Sequence, residues 1–298
     1  MAVVCIDIPQ EIRMAAEQMN KMSSIIVKLN QNPRQMEISS DRLVKTIMLD
    51  PEVTAGVMRL INSPFYGRTN RVNSLPQAVM LFGSETVKNL ASYTAILNTG
   101  FAQEKKSPLN PEEFWRHCLS TAIGCKLLAK KLEKGEDELE TYFIAGLLHD
   151  VGKLLFIKVD PEGYSKAIWE SERLGISLTF SELAHFGCSH TEAGGLLARQ
   201  WNLDNFLVKI IEFHHSPLGN KSSPIQDILS IANNLSKHAQ IGQSGNGVIE
   251  EIVAACSKRL GITLNSLDQI ADQLVLQLEK ASEFINIIKE QKKEWATM

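Results

Sequence analysis

Residues Ala145-Gly-Leu-Leu-His149-Asp150-Val-Gly152-Lys153-Leu-Leu-Phe156 carry an apolar helical pattern straight into a His-Asp pair, then a Gly and a Lys, then back to apolar residues. A buried carboxylate is costly unless it is paired or hydrogen-bonded. Asp150, set inside Leu-Leu-x-x-Val-x-x-Leu-Leu, therefore demands a partner, and a surface salt bridge does not suit so apolar a setting. Two resolutions are open on this stretch alone: a metal ion, or a hydrogen-bonded pair within the core. Gly152 marks a helix break at which the chain can turn and bring neighbouring side chains inward.

Outward from this stretch the pattern is helical almost throughout. One device marks several helix starts, an Asp or Asn cap followed by Pro at the first helical position: Asp50-Pro51, Asn110-Pro111 and Asp160-Pro161. Apolar residues follow at helical spacing, as in Val53, Val57, Leu60 and Ile61. Ser189-x-x-Glu192 reads as a capping box ahead of Ala193, Leu196, Leu197 and Trp201. Val3 to Ile8 is the one strand-like run and has nothing to pair with, so the expected fold class is all-α. The polar, Pro-containing stretch 101–110 suggests a connection between two helical lobes, 1–105 and 106–298. After about Val248 a short helix and then a single long one, near Leu267 to Trp295, are expected. Gln240 to Gly247 reads as a loop.

Composition narrows the function. The 298 residues are 44% apolar and 22% charged, with a net charge of -3 and no Lys/Arg cluster. That argues against a nucleic-acid binder, which must neutralise phosphates. No window approaches the roughly 18 apolar residues of a membrane span, and the N-terminus lacks the features of a signal peptide. Five scattered Cys without a C-x-x-C pair read as reduced thiols. A cytoplasmic protein is expected.

The candidate chemistry lies in the histidines. All seven fall after Pro111, and five of them, His117, His149, His190, His214 and His215, stand at or near helix ends. Imidazole and carboxylate together suit Fe, Mn, Zn or Ni. Glu113 and His117, four apart on a helix, can share a face. Ligands converging between bundle helices take this form. The plainer reading stands beside it. A lone His at a helix end is as a rule a cap or a surface residue, and Glu113–His117 is then an exposed pair. Lys153 is either a phosphate contact or a charge placed to suit a helix end. His185 and His238 are assigned no site role. Trp115, Trp169 and Trp201 are expected in the core. No phosphate-cradling Gly loop or nucleophile elbow is present.

Phe114-Trp-Arg-His117 and Leu148-His149-Asp150-Val-Gly-Lys153 resemble the opening of the HD-domain signature. In the first lobe, Asp50-Pro51-Glu-Val-Thr-Ala-Gly-Val-Met-Arg-Leu-Ile-Asn62-Ser63-Pro-Phe-Tyr66-Gly67 and Ser74-Leu-Pro-Gln-Ala78-Val-Met-Leu-Phe-Gly83 are similar to the HDOD family, the HD-related output domain of bacterial signalling proteins. Ser181 to Trp201 and Phe213-His-His-Ser-Pro217 continue the likeness, which covers roughly residues 20 to 240. Asn20-Lys-Met-Ser-Ser24 replaces the family's Leu-Pro-rich opening and reads as a loop variation.

The resemblance implies an N-terminal helical bundle packed on an HD-like lobe. It also implies a signalling or regulatory role, with a signalling protein as partner and neither nucleic acid nor membrane. By likeness to metal-dependent HD hydrolases and HD-GYP phosphodiesterases, Glu113, His117, His149, Asp150, His190, His214 and His215 occupy ligand positions. One or two divalent ions are implied, Fe or Mn first and Zn or Ni after. Asp150 and Lys153 are the catalytic candidates, Lys153 meeting the phosphate of a nucleotide or phosphate ligand. Two departures stand out. Asn233 occupies the region where a final Asp is expected; its oxygen can coordinate, which makes it the last candidate metal ligand, but it is neutral and does not bridge two cations as a carboxylate does. The Gly-Tyr-Pro element is replaced by Ser216-Pro-Leu-Gly-Asn. The resulting expectation is a metal-binding, non-catalytic regulatory protein that acts through protein–protein interaction, with a metal-dependent phosphohydrolase as the alternative. No receiver, sensor or GGDEF segment is readable in the chain, so input by association is expected.

Overall fold

A computed structural model describes residues 8–22, 24–30, 39–67, 70–98, 107–215, 223–245, 247–248 and 252–296. Among these the fold is all-α with no strand. The strand-like run Val3 to Ile8 lies, but for Ile8, outside the described residues, as does most of the expected connection at 101–110.

The N-terminal part holds α1 (Gln10–Met22), α2 (Ser24–Asn30), α3 (Ser40–Ile47), α4 (Pro51–Ile61), a 3-10 turn at Pro64–Tyr66, and α5 (Leu75–Leu97). Asn20 to Met22 form the last turn of α1 and Ser24 opens α2, so this departure from the family opening is a junction between helices rather than a loop. The second part holds α6 (Pro111–Lys131), α7 (Glu136–Leu148), α8 (Lys153–Val159), α9 (Pro161–Leu174), α10 (Leu178–Phe186), α11 (His190–Gln200), α12 (Asn205–Phe213) and α13 (Pro224–His238). The tail adds α14 (Ile252–Leu260), α15 (Leu264–Lys280) and α16 (Ser282–Ala296).

The predicted caps do their work. Asp50 Oδ1 accepts from the amides of Glu52 and Val53, Asn110 Oδ1 from Glu112 and Glu113, and Asp160 Oδ1 from Gly163. Each satisfies amides that a helix start otherwise leaves bare. The Ser189–Glu192 capping box forms as read. One apolar core runs from Ile12 through α4, α5, α6 and α11 to Ile288, so it draws on both sides of the 101–110 stretch. Helix α1 packs on α8 and α11. A second cluster lies among α6, α7, α13, α14 and α15. Helix α6 is central, with α7, α13, α15 and α16 against it.

Two expectations need correction. The single long C-terminal helix is two helices, parted at Ala281. That break turns Phe284, Ile285, Ile287 and Ile288 into the core, where Phe284 meets Phe65 and Phe143 edge-to-face and Tyr93 at a tilt, and its carbonyl accepts from Tyr93 Oη at 3.0 Å. Trp115 and Trp201 are buried as expected, but Trp169 is 60% exposed. It lies on the face of α9 opposite the buried Tyr164, Ala167 and Ser171, and the Arg173 guanidinium covers its ring at 4.9 Å.

The break at Gly152 brings two helix ends together. A Cβ there would lie 2.0 Å from the His190 carbonyl oxygen and 2.4 Å from the Gly194 amide nitrogen, so the turn rests directly on the backbone of α11. Both obstacles are main chain and cannot rotate away. Gly152→Ala is expected to destabilise the protein by roughly 3 kcal/mol or more, at or above the top of the overpacking range, whereas Gly247→Ala, in open space, should stay within about 0.5 kcal/mol. Urea unfolding midpoints of the two variants check this. Equal midpoints would mean that the turn yields without cost.

Candidate metal centre

Four helix ends and one helix interior supply the site. His117 comes from the second turn of α6, His149 and Asp150 from the turn after α7, Lys153 from the start of α8, His190 from the start of α11, and His214 and His215 from the end of α12. The turn is tight: the amide of Val151 donates to the Leu148 carbonyl at 3.1 Å and that of Lys153 to the Asp150 carbonyl at 3.0 Å. His117, His149, Asp150, Lys153, His190 and His214 are all at most 2% exposed, and His215 is half-buried.

Asp150 sits at the middle and its two oxygens face different ways. Oδ1 lies 3.3 Å from His190 Nε2 and 3.7 Å from His214 Nε2. Oδ2 lies 3.3 Å from His149 Nε2, 3.8 Å from His117 Nε2 and 2.7 Å from Lys153 Nζ. Two groups of candidate ligands result, one of Asp150, His190, His214 and His215, the other of Asp150, His117 and His149; within each, the ligand atoms lie within 4.8 Å of one another.

The hydrogen bonds behind the imidazoles fix their tautomers. A carbonyl oxygen can only accept, so His149 Nδ1 donates to Gly146 O and His214 Nδ1 donates to Ile211 O, each at 2.8 Å. His190 Nδ1 donates to Glu182 Oε2 at 2.6 Å, and the same oxygen takes the His190 amide at 2.8 Å. Tyr164 Oη donates to Glu182 Oε1 at 2.9 Å. In the neutral rings each Nε2 therefore presents a lone pair. Burial holds His117, His190, His214 and His215 below the usual imidazole range, with Glu182 opposing the shift at His190. Burial pushes Asp150 upward, but the nearby His149 and Lys153 outweigh it and hold its carboxyl well below the usual range.

This donor set fits a cation. His190 Nε2 and His214 Nε2 stand 3.3 Å apart with no proton to share in the neutral state. His149 Nε2, His117 Nε2 and Asp150 Oδ1 are buried with no hydrogen-bond partner among the described residues. Converging lone pairs without a proton repel unless a positive ion lies among them. Neutral imidazole with carboxylate is the donor chemistry of Fe, Mn, Zn and Ni sites, and a ligand histidine braced through its other nitrogen by a carboxylate or carbonyl is the usual outer arrangement.

Not every expected residue joins the cluster. Glu113 lies on α6 one turn before His117, where the helix emerges to solvent; its half-exposed carboxylate faces Arg116 Nε at 3.9 Å and stands outside both groups. Asn233 is buried on α13, and its Oδ1 has no hydrogen-bond partner among the described residues. Lys153 is inside the cluster, not at its mouth. Its Nζ donates to Asp150 Oδ2 at 2.7 Å, Ser244 O at 2.9 Å and Ser244 Oγ at 3.2 Å. Those three bonds use every proton of the ammonium, so a substrate phosphate would have to displace one. His185 pairs with Glu170 at the surface, and His238 is exposed.

The sequence reading missed Glu182, Tyr164, Ser244 and the two bracing carbonyls. It read Gln240 to Gly247 only as a loop, yet Gly242 to Ser244 pack against α6 and Lys153. Gly242 has φ +69 and a Cβ there would lie 2.4 Å from Glu113 O and from His117 N, so only glycine fits. The Gln243 amide donates to Glu113 O at 3.0 Å, and Ser244 then reaches Lys153.

Two outcomes are expected. Glu182→Gln should weaken divalent-ion binding about 10- to 100-fold, measured by titration calorimetry; unchanged affinity would remove Glu182 from any bracing role. In the metal-free protein His117, His190, His214 and His215 titrate below the unfolded value of about 6.5, so the unfolded chain takes up more protons as pH falls through that range, and stability is lost with it. Asp150, also depressed, acts in the same direction at lower pH. The urea midpoint should therefore fall between pH 7 and pH 5, and a flat profile would contradict the neutral, buried assignment.

Comparison with known proteins agrees with this architecture. An HDOD domain protein of unknown function from Geobacter sulfurreducens superposes with a TM-score of 0.70 at 21% identity, covering 92% of this chain and 98% of that one. A candidate phosphohydrolase from Shewanella amazonensis SB2B gives a TM-score of 0.64 at 22% identity, covering 95% and 94%. At such identities the likeness concerns the fold. A curated but uncharacterised protein of Treponema pallidum (strain Nichols) is 23% identical over 198 residues, 66% of this chain; the match spans 37% of that protein's length. The HDOD domain itself matches residues 19–217, which takes in His117, His149, Asp150, Lys153, His190, His214 and His215. The chain belongs to the HDOD domain family.

Proposed function

We propose that this chain is a cytoplasmic regulatory protein whose HD-type lobe holds divalent metal, Fe or Mn in the first place, and whose output is contact with a signalling protein rather than turnover. The observation that carries the reading is the convergence of proton-free Nε2 atoms on Asp150 in a fully buried setting. Bound metal would supply charge to this interior and lock the ends of α7, α11 and α12 together. The residues themselves do the holding: Asp150 and the imidazoles bind, and Glu182, Gly146 O and Ile211 O keep the rings aimed. Substrate access is where a hydrolase reading is weakest. The ligand atoms lie under the Gly242–Ser244 segment, and the donors of Lys153 are spent internally.

A route from metal to surface supports the regulatory reading. Helix α9 brings Tyr164 and α10 brings Glu182 to His190, and the same two helices expose Trp169, Phe180 and Leu183. A change at His190 is thus joined through Glu182 and Tyr164 to helices that carry exposed apolar side chains on the surface. No helix of the described residues is long and apolar enough to cross a membrane.

The second reading, a metal-dependent phosphohydrolase acting on a nucleotide or other phosphate ester, rests on the retained His149-Asp150 pair and on structural neighbours that include candidate phosphohydrolases. In that case the metal would act as Lewis acid on the phosphate, with the interior opening to admit it.

Elemental analysis of the purified full chain tests the first reading. At least one equivalent of metal is expected, and Asp150→Asn should abolish it; metal well below one equivalent in the unaltered protein would sink the proposal. A panel of nucleotides and cyclic dinucleotides with added Mn or Fe tests the second. No hydrolysis is expected, and turnover that disappears in Asp150→Asn would establish the enzyme instead.

A further inference from the structure

The two halves of the centre are not equivalent. On the Oδ1 side, His190 and His214 face an oxygen with no hydrogen-bond partner, and each ring is braced through Nδ1. His215 completes that group. On the Oδ2 side, the oxygen shared with His149 and His117 already accepts from Lys153 Nζ at 2.7 Å.

That ammonium cannot move aside. Lys153 is fully buried, its three protons are taken by Asp150 Oδ2, Ser244 O and Ser244 Oγ, and its backbone follows Gly152, which is pressed against α11. A divalent ion bound through Oδ2 would share one carboxylate oxygen with a fixed positive charge in an interior of low dielectric, where like charges repel strongly. Charge balance points the same way. Among the fully buried ionised groups of the cluster, Asp150 and Glu182 give two negative charges and Lys153 one positive, a net of one negative. One divalent ion brings this to plus one, and a second would bring it to plus three. Asn233, neutral where the HD resemblance expects a carboxylate, offers nothing to offset the difference.

We propose that Lys153 acts as the resident cation of the Oδ2 half and limits the centre to a single divalent ion, held by Asp150 Oδ1, His190, His214 and His215. This rests on the metal-binding reading above and specifies its stoichiometry and position. Lys153 is then a positioning residue that fixes Asp150, rather than a contact for substrate.

The test is Mn2+ binding to the chelator-stripped full chain, by equilibrium dialysis with EPR of the bound ion. The unaltered protein should bind one Mn2+ per chain with the signal of an isolated ion. Lys153→Met, which keeps the stem and removes the charge, should bind two. His214→Ala should lose the ion, while His117→Ala should retain one equivalent. Two ions with a spin-coupled signal in the unaltered protein would overturn the inference and leave the metal reading standing; no binding at all would overturn both. A folded Lys153→Met that still binds one ion would refute the role given to the ammonium. If that variant does not fold, as judged by circular dichroism, the histidine variants decide the matter: loss of the ion in His117→Ala with retention in His214→Ala would place it in the other half and end the proposal.

Discussion

A carboxylate buried in an apolar helical bundle has to be answered by charge and hydrogen bonds, and Asp150 is answered from every direction. Lys153 meets one oxygen, imidazoles from α6, α7, α11 and α12 surround both, and the turn that presents it rests on the main chain of α11. The demand of this one group explains why helices distant in sequence end at the same place. It also explains why so many of the polar side chains in the interior belong to one cluster: each either touches Asp150 or braces something that does.

The outer ring of residues gives the cluster its direction. Glu182 takes the amide and ring N–H of His190 together, and Tyr164 closes the remaining face of that carboxylate. A charged carboxylate is buried at this point only because those donors are all present. The His190 ring is consequently set by α9 and α10, which reach it through Tyr164 and Glu182, and not by α11 alone. Geometry at the centre and the disposition of the outer helices are two ends of one rigid chain of contacts.

How much could be read beforehand depended on how local each signal was. The Asp-Pro and Asn-Pro starts of α4, α6 and α9 were legible because a cap and its helix are adjacent in the chain. His149 and Asp150 were legible because a charge amid leucines is conspicuous. Glu182 and Ser244 were not: Glu182 meets a histidine across the helix break at Gly187, and Ser244 a lysine 91 residues back, so neither pair lies on one helix. Glu113 shows the opposite failure. Spacing of four correctly puts it on the face of His117 but says nothing of depth, and the first turn of α6 is at the surface. Trp169 could have been placed by the same periodicity, since Tyr164, Ala167 and Ser171 define the buried face of α9 and Trp169 falls opposite. The break at Ala281 had no such signal. No Gly or Pro stands between Lys280 and Ser282, and the packing of Phe284 decides it.

The Gly242–Ser244 segment bears on time as well as on structure. It is fastened at one end to the first turn of α6 by the Gln243 amide and at the other to Lys153 by two bonds. A metal held there as proposed would lie beneath these fastenings, so its exchange would require their local opening as well as the breaking of metal–nitrogen bonds. The occupancy of such a centre would then follow the opening of the strap, and would lag behind changes in the surrounding supply.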